Sequence, residues 1–302
     1  MRNVLLYLSR QQRLRHWMET ARAARPLSAR FIAGMSLEDA LQVAQSVNAQ
    51  SMSVSLDHLG ENVTSLAEAT ACEAVYLKAL TEIDRMRLNA NLSLKLTQFG
   101  IDISEEECRR NVLRVAKLAQ QFGSFVRIDM EGSEYTARTI QVVKDIHAET
   151  GSCGAVIQSY LKRSLTDVDQ MNARSIRVRL CKGAYLEQPA VAYQDKADVD
   201  LNFLVLARRL LAGGNYPGIA THDERMIQGT LEFVRDQKIS PDRFEFQMLY
   251  GVRRDLQKRL VAEGWRVRVY VPFGEAWYPY FMRRLAERPA NVLFIAKTLL
   301  KG

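Results

Sequence analysis

Cysteine is scarce in this chain: among its 302 residues only four occur, at positions 72, 108, 153 and 181. They lie too far apart for a CxxC redox pair or a zinc ribbon, so we expect reduced thiols in a cytoplasmic protein. Long apolar runs are missing as well, and nothing approaches the roughly 18 residues that a membrane-spanning helix requires. The basic amino-terminal stretch has only a short apolar segment, 4–8, and no small-residue cleavage site, which argues against a secretory signal.

Motifs that identify several large classes of protein are also absent. No GxGxxG, Walker loop or GxSxG occurs, so the sequence supports neither a dinucleotide-binding fold, nor a P-loop, nor a nucleophile elbow. The four histidines, at 16, 58, 147 and 222, lack the spacing of metal ligands, and we predict no metal site. Hydrophobic residues make up 47% and charged residues 25%, which is typical of a globular chain and excludes disorder and collagen.

Positive charge is concentrated at the amino terminus. The net charge is +8, and residues 1–30 contain seven arginines but a single acid, Glu19, so the remaining chain is almost balanced. A nucleic-acid-binding body would need a basic face of its own, and we therefore predict no nucleic-acid partner. Leu14, Trp17, Met18 and Ala21 form one apolar helical stripe within this segment. We interpret residues 1–47 as a helical arm that either docks on the body or contacts an anionic membrane surface.

Residues 48–302 alternate short β-type runs with helical stretches. The predicted strands are 52–56, 92–97, 125–130, 155–160, 176–181, 218–222, 244–249 and 267–271. Because parallel neighbours need a crossover, these strand–helix units predict an α/β fold, a distorted (β/α)8 barrel of the TIM type with further C-terminal helices. An open doubly wound sheet is the alternative, but its central strands are usually apolar on both faces.

Several predicted strands have one polar face, which favours the barrel. Lys95 lies between Ser93 and Thr97 in one strand, and Arg127 and Asp129 share a face in the next. A barrel accounts for this alternation, because apolar faces pack on the helices while polar faces point into the lumen. Since the active site of such a barrel lies at the carboxyl ends of its strands, the polar residues there are the candidates for function.

Cations predominate among the charged residues at these strand ends, which indicates an anionic ligand. Arginine suits a carboxylate or a phosphate, because its guanidinium group bonds two oxygens at once. A Schiff base on Lys95 or Lys182, as in a class I aldolase, is a competing interpretation. A glycosidase pair of Asp129 and Glu131 is less favoured, because the two lie on one strand. A non-enzymatic adaptor acting through residues 1–30 is a third hypothesis, but it leaves the polar strand ends unexplained.

Taken together, the strand-end segments resemble the proline dehydrogenase family, most closely its short bacterial monofunctional form. The resemblance extends from about residue 31 to residue 287. Its segments are 31–34 (FIAG), 94–97 (LKLT), 127–131 (RIDME), 158–161 (QSYL), 179–185 (RLCKGAY), 220–223 (ATHD), 244–251 (FEFQMLYG), 270–274 (YVPFG) and 280–287 (YFMRRLAE).

The resemblance implies an FAD-dependent enzyme that oxidises L-proline to Δ1-pyrroline-5-carboxylate, the first step of proline degradation to glutamate. It implies a barrel that holds FAD without a Rossmann domain, in agreement with the missing GxGxxG. Hydride would pass from the ring carbon beside the nitrogen to the flavin, with the protein supplying binding and orientation. A quinone is the implied electron acceptor, which would give the basic arm a purpose at a membrane. A separate pyrroline-5-carboxylate dehydrogenase is expected to carry out the next step.

The resemblance also implies two sets of site residues. The first set would bind the substrate carboxylate or surround the proline ring, with Asp129 orienting its neighbours: Lys95, Asp129, Tyr185, Leu249, Tyr270, Tyr280, Arg283 and Arg284. The second set would hold FAD: Gln158, Arg179, Lys182, Gly183, Ala184, Thr221, His222 and Glu287. Within that set, Arg179 is assigned to the N5 or N1 edge of the flavin, where a cation favours the anionic reduced ring.

Overall fold

Eight parallel strands close into a barrel in which each strand pairs with its neighbours in the sequence, and the last pairs with the first. The computed structural model describes residue 11, residues 31–60 and residues 62–287, with side chains up to residue 282. The strands are β1 Ser53–His58, β2 Ala90–Leu94, β3 Val126–Ile128, β4 Cys153–Gln158, β5 Arg177–Cys181, β6 Gly218–Ala220, β7 Glu245–Leu249 and β8 Val267–Phe273. The predicted barrel is confirmed, and its closure excludes the open doubly wound sheet.

Helices connect successive strands and form the outer layer, as parallel pairing requires. They are α1 Leu37–Asn48, α2 Leu66–Arg85, α3 Glu105–Gln121, α4 Ser133–Thr150, α5 Ser164–Asn172, α6 Lys196–Gly213, α7 Glu224–Asp236, α8 Arg254–Ala262 and α9 Tyr278–Glu287. Short 3-10 turns follow β2 at Leu96–Phe99 and precede β7 at Pro241–Arg243. No helix in the part of the chain that the structure describes is both long and apolar enough to cross a membrane.

Serine caps start three of the helices. Ser36 and Asp39 form a reciprocal capping box at α1, because each side chain accepts a hydrogen bond from the other's backbone N–H. Ser65 and Ser104 accept from the third residue of α2 and α3. Helix α1 packs against β1 and β8, on the outer side of the barrel seam. The boundary of the arm at residue 47 stays a prediction, because 1–10 and 12–30 lie outside the described residues.

The strands divide their side chains between two environments. On β8, Val267, Val269 and Val271 are buried in the main apolar cluster shared with the helices, whereas Arg268 and Tyr270 hydrogen-bond to residues of other strands. The same division holds on the other strands with polar alternation. The predicted orientation of the polar strand faces towards the lumen is therefore confirmed. Their side chains form a continuous network inside the barrel.

A second apolar cluster covers the carboxyl end of the barrel near β1 and β8. Phe31 and Ile32 from the segment before α1 pack there with Trp277, which directly precedes α9, and with Phe281 of α9. The rings of Trp277 and Phe281 meet edge to face, with centroids 5.5 Å apart. This cluster contains Leu59, which follows β1, and Tyr270 packs against it. It therefore holds α9 beside the strand ends, so that the residues of α9 lie near the predicted site.

Candidate active site

A buried ion pair joins β1 to the end of β2. Lys95 Nζ donates to both carboxylate oxygens of Asp57, at 2.9 and 3.1 Å. The Asp57 side chain is fully buried and that of Lys95 is 9% exposed. Burial raises the pKa of Asp57 above its usual range, while the neighbouring Lys95 charge acts in the opposite direction. Two charges in such a position persist because each compensates the other.

A second ion pair connects β3, β5 and β8. Arg179 Nη1 donates to Asp129 Oδ1 at 2.8 Å, and the Tyr270 hydroxyl donates to Asp129 Oδ2 at 2.9 Å. The guanidinium carbon of Arg179 lies 5.1 Å from the centre of the Tyr270 ring. Burial raises the pKa of Tyr270 well above its usual value, and the Asp129 carboxylate acts in the same direction. Tyr270 therefore remains a neutral hydrogen-bond donor.

Arg179 is held on every side. Its Nε donates to Gln247 Oε1 at 2.5 Å, and Nη2 donates to Ser93 Oγ at 2.9 Å and Ser55 Oγ at 3.2 Å. Bonds from three directions fix the plane of the guanidinium group in the lumen. Gln247 in turn donates to Glu245 at 2.6 Å, so the network continues towards the amino-terminal end of the barrel.

Lys182 lies just after β5 and is already neutralised by the chain. Its Nζ donates to Asp200 of α6 and, at 2.7 Å, to Asp223, the cap residue of α7. Lys196 contacts the same two carboxylates. The cluster therefore has two positive and two negative charges. The charge of Lys182 is therefore compensated within the chain.

The turn after Lys182 requires glycine. Gly183 has φ of +107°, in the region that side chains other than glycine rarely adopt, and a Cβ there would lie 2.3 Å from the Tyr160 ring. Ala184 and Tyr185 follow in the same half-buried loop. The backbone here thus requires glycine, and the roles of Gly183, Ala184 and Tyr185 stay predictions.

Two further predicted cofactor residues follow β6. The backbone N–H of Leu249, at the end of β7, donates to His222 Nε2 at 2.9 Å. This bond requires His222 Nε2 to be unprotonated. Thr221 is buried, and its hydroxyl accepts from the backbone N–H of Asp223 at 3.1 Å. Both residues thus belong to the ordered turn between β6 and α7.

Gln158, at the end of β4, has an unsatisfied acceptor. Its side chain is buried and its Nε2 donates to the Met130 carbonyl at 3.3 Å, but among the described residues Oε1 has no hydrogen-bond partner. A buried polar atom without a partner is costly, so Oε1 is available to a donor that the described residues do not supply. FAD carries N–H and hydroxyl donors, and Gln158 therefore fits the predicted cofactor side of the site.

The remaining predicted residues belong to α9 or follow β3. Tyr280 is buried in the apolar cluster around α9. The side chains of Arg283, Arg284 and Glu287 lie outside the described residues, although their backbone belongs to α9. Glu131 accepts from the Thr97 hydroxyl at 2.6 Å and so braces the turn after β2. Asp129 and Glu131 thus contact different partners, which disfavours a glycosidase pair.

Sequence reasoning missed several members of this network. Asp57 was overlooked because the predicted first strand ended at residue 56, one position before it. Its signal was the alternation with Ser55, which continues the polar face of β1. Asp200 lies near the start of α6, on a helix, where no strand-end argument applies. Asp200 and Asp57 become recognisable only through the lysines that they contact.

No cluster suited to a metal ion occurs among the described residues. The four cysteines are free thiols. Burial raises the pKa of Cys72, Cys108 and Cys153 to about 12. These three thiols are thus suited to packing rather than to nucleophilic chemistry.

A closed parallel barrel with a polar network at the carboxyl ends of its strands defines the class of (β/α)8-barrel enzymes. Comparisons with known proteins identify the family. The family model described as proline dehydrogenase matches residues 40–297. Proline dehydrogenase 1 of Bacillus subtilis is 40% identical over 301 residues, which cover 100% of this chain and 99% of that protein. Proline dehydrogenase of Deinococcus radiodurans is 42% identical over 281 residues, 91% of each chain.

Solved structures agree with this result. Proline utilization A (PutA) from Bdellovibrio bacteriovorus, inactivated by N-propargylglycine, has a TM-score of 0.81 and 27% identity, covering 87% of this chain and 32% of its own. The D779W mutant of the PutA of Bradyrhizobium japonicum has a TM-score of 0.76 and 24% identity, covering 87% of this chain and 31% of its own. At that identity it supports the fold alone. The chain therefore belongs to the proline dehydrogenase family, and it is an oxidoreductase of proline catabolism.

Proposed function

We propose that this enzyme oxidises L-proline to Δ1-pyrroline-5-carboxylate, with FAD as hydride acceptor and a quinone as the final electron acceptor. The observation that carries the proposal is the pair of buried charge clusters at the carboxyl end of the barrel. One presents Lys95 held by Asp57, and the other presents Arg179 held by Asp129 and Tyr270. Family membership adds the reaction that these cations would serve.

The chain's own residues divide into two sides of one site. Lys95 is held by Asp57, and it would bind the proline carboxylate together with Arg283 and Arg284. The Tyr270 ring would bound the proline ring from β8, and Leu249, Tyr185 and Tyr280 would contribute the other walls. Because the Tyr270 hydroxyl is committed to Asp129, its ring is fixed in orientation.

The cofactor side fits FAD through its donors and through Gln158 Oε1, an acceptor without a partner among the described residues. Gln158, Arg179, Lys182, Gly183, Ala184, Thr221, His222 and Glu287 would hold the group. FAD, when bound, supplies the hydride acceptor that side chains lack. Arg179 would place a fixed positive charge beside the ring, and its three hydrogen-bonded nitrogens prevent the charge from turning away.

The amine of proline must be neutral when hydride leaves its ring carbon. The carboxylates of Asp57 and Asp129 are both engaged by cations, so neither is suited to remove a proton from the amine. We propose that solvent takes this proton as the substrate binds. The protein then has to orient the ring and compensate the carboxylate, which Lys95 and the arginines of α9 would do.

The decisive experiment is an anaerobic visible spectrum of the purified full chain, recorded with FAD and then with L-proline. A flavin band that bleaches supports both cofactor and substrate. A flavin band that does not change when proline is added would exclude proline as the substrate. A protein that takes up no FAD removes the flavin proposal, and trapping of a carbonyl substrate by borohydride would then favour the Schiff base on Lys95 or Lys182.

The Arg284→Met variant tests the carboxylate side. Loss of a charge-assisted contact should cost about 2–5 kcal/mol of substrate binding. The KM for proline should rise strongly while FAD remains bound, as measured by steady-state kinetics and by the flavin spectrum. An unchanged KM would show that Arg284 does not bind the proline carboxylate.

The basic segment 1–30 would serve electron transfer by holding the enzyme at an anionic membrane, where the quinone resides. Liposomes with and without anionic lipid provide the test. Deleting residues 1–30 should abolish binding to the anionic liposomes, and unchanged binding would exclude this role.

A further inference from the structure

A cavity of about 430 Å³ opens at the amino-terminal end of the barrel, opposite the candidate active site. Its wall includes the residues before and at the start of β2, β3, β5 and β8. Its polar and aromatic members, which include three arginines and one carboxylate, are Asp84, Arg87, Asn89, Asn91, Phe122, Ser124, Phe125, Arg177 and Arg268. Of these, Arg268 is nearly buried and Arg177 is half-buried.

Three guanidinium groups surround one aromatic ring at this mouth. Their central carbons lie 4.6 Å (Arg177), 5.1 Å (Arg127) and 5.9 Å (Arg268) from the centre of the Phe125 ring. Such proximity of like charges is unfavourable in itself. The ring faces offset part of the repulsion, since each cation is attracted to π electrons.

Carboxylates do not balance the three charges. Arg268 Nε donates to Glu245 at 2.6 Å, and that pair is internally compensated. Arg127 donates only to backbone carbonyls, those of Ala155 at 3.1 Å and Arg177 at 2.8 Å, and its buried Nε has no partner in the described chain. Within residues 31–60 and 62–282, the guanidinium group of Arg177 makes no hydrogen bond or ion pair. A surplus of positive charge therefore faces the cavity.

Burial makes this surplus costly. It lowers the pKa of Arg127 to about 9, and the neighbouring Arg179 acts in the same direction. It also lowers the pKa of Arg177, with Arg268 contributing. A negatively charged ligand in the cavity would relieve both effects.

We propose that the amino-terminal mouth of the barrel is an oxyanion site, which takes a small ligand carrying a carboxylate or a phosphate. Arg177 contributes the free guanidinium group, and Arg268 Nη2 lies beside it with no hydrogen bond in the described structure, since Nε and Nη1 serve Glu245, Val54 and Asn91. Asn89 and Asn91 line the same cavity. Apolar wall residues, among them Leu80, Ile83 and Phe122, suit a small organic anion better than a bare ion.

The test titrates the full chain, with FAD added in excess, with inorganic phosphate and separately with succinate at constant ionic strength. Isothermal titration calorimetry should reveal binding of one equivalent. Phosphate binding alone would identify a phosphoryl ligand, succinate binding alone a carboxylate ligand, and each result supports the site. Binding of neither anion would overturn it.

Two variants locate the binding. Arg177→Gln should weaken it at least about tenfold, because a charge-assisted fork is lost. Arg208→Gln is the matched control, since Arg208 also lies over an aromatic ring, 5.9 Å from the centre of Phe233, but on the outer helices. The control should bind within about twofold of the parent chain. Equal affinity in Arg177→Gln and the parent would overturn the proposal.

Crystals of the parent chain grown with selenate provide a test that needs no variant. An anomalous peak between Arg177 and Arg268 is expected. Selenate found only at the carboxyl end of the barrel would overturn the assignment and point to the phosphate contacts of the cofactor site instead.

Discussion

Replacing Asp57 by asparagine tests whether Asp57 and Lys95 compensate each other's buried charge. The Asp57→Asn side chain keeps the shape but removes the charge that compensates Lys95, whose side chain is only 9% exposed. Removing one partner of a buried pair costs about 3–5 kcal/mol, because the other charge remains desolvated. The Asp129 carboxylate repels that of Asp57, and the asparagine removes this repulsion. The expected loss of stability therefore lies near the lower end of that range. Guanidinium unfolding followed by circular dichroism measures it.

An exposed ion pair serves as the control, and a double variant tests the buried Lys95 charge directly. Glu38 pairs with Lys78 at 3.6 Å, with side chains 66% and 64% exposed, so Glu38→Gln should cost less than about 0.5 kcal/mol. Adding Lys95→Met to Asp57→Asn should recover part of the lost stability, since neither charge of this pair is then left buried. A loss below about 1 kcal/mol for Asp57→Asn, or a double variant weaker than the single one, would refute the account.

Three further outcomes follow from the same structure. Although burial alone would raise it, Arg268 holds the pKa of Glu245 below its usual range, so Glu245 stabilises the fold above that range and the benefit disappears in acid. Urea midpoints of Glu245→Gln should therefore approach those of the parent as pH falls through the carboxyl range, and a constant gap would contradict this. Burial lowers the pKa of His58 in the folded state, so the unfolded chain takes up the proton first. Stability should fall as pH decreases below about 6.5, and less so in His58→Gln; equal slopes would exclude His58 as the cause. Ellman's reagent should react with Cys181 in the native protein and with the buried thiols only after denaturation, these being Cys72, Cys108 and Cys153; rapid native labelling of all four would contradict their burial.

Local pattern was sufficient to predict the barrel. Alternation of apolar and polar residues marked several of the strands, because each side chain of a strand faces either the helices or the lumen. Serine caps marked helix starts for a similarly local reason, since the bonds that they make span only three residues. The family's strand-end segments then pointed to one end of the barrel, because all parallel strands finish there.

The closed sheet determines which charged and polar side chains contact one another inside the lumen. Lys95 and Asp57 are 38 positions apart, and Tyr270 and Asp129 are 141 apart. No spacing rule connects such residues, because their contact depends on the register of the strands between them and on closure of β8 onto β1. The sequence shows no partner for Lys182, yet Asp200 of α6 and Asp223, the cap residue of α7, both form ion pairs with it.

The sequence by itself determined the strands, their inward polar faces and the family, since each depends on short segments read in order. Only the tertiary structure decided which charges compensate one another. It paired Lys95 with Asp57, and it grouped Arg127, Arg177 and Arg268 around Phe125 with a single carboxylate, Glu245, bound to one of them. Electrostatic balance is a property of distances through space, and in a barrel those distances are set when the last strand meets the first.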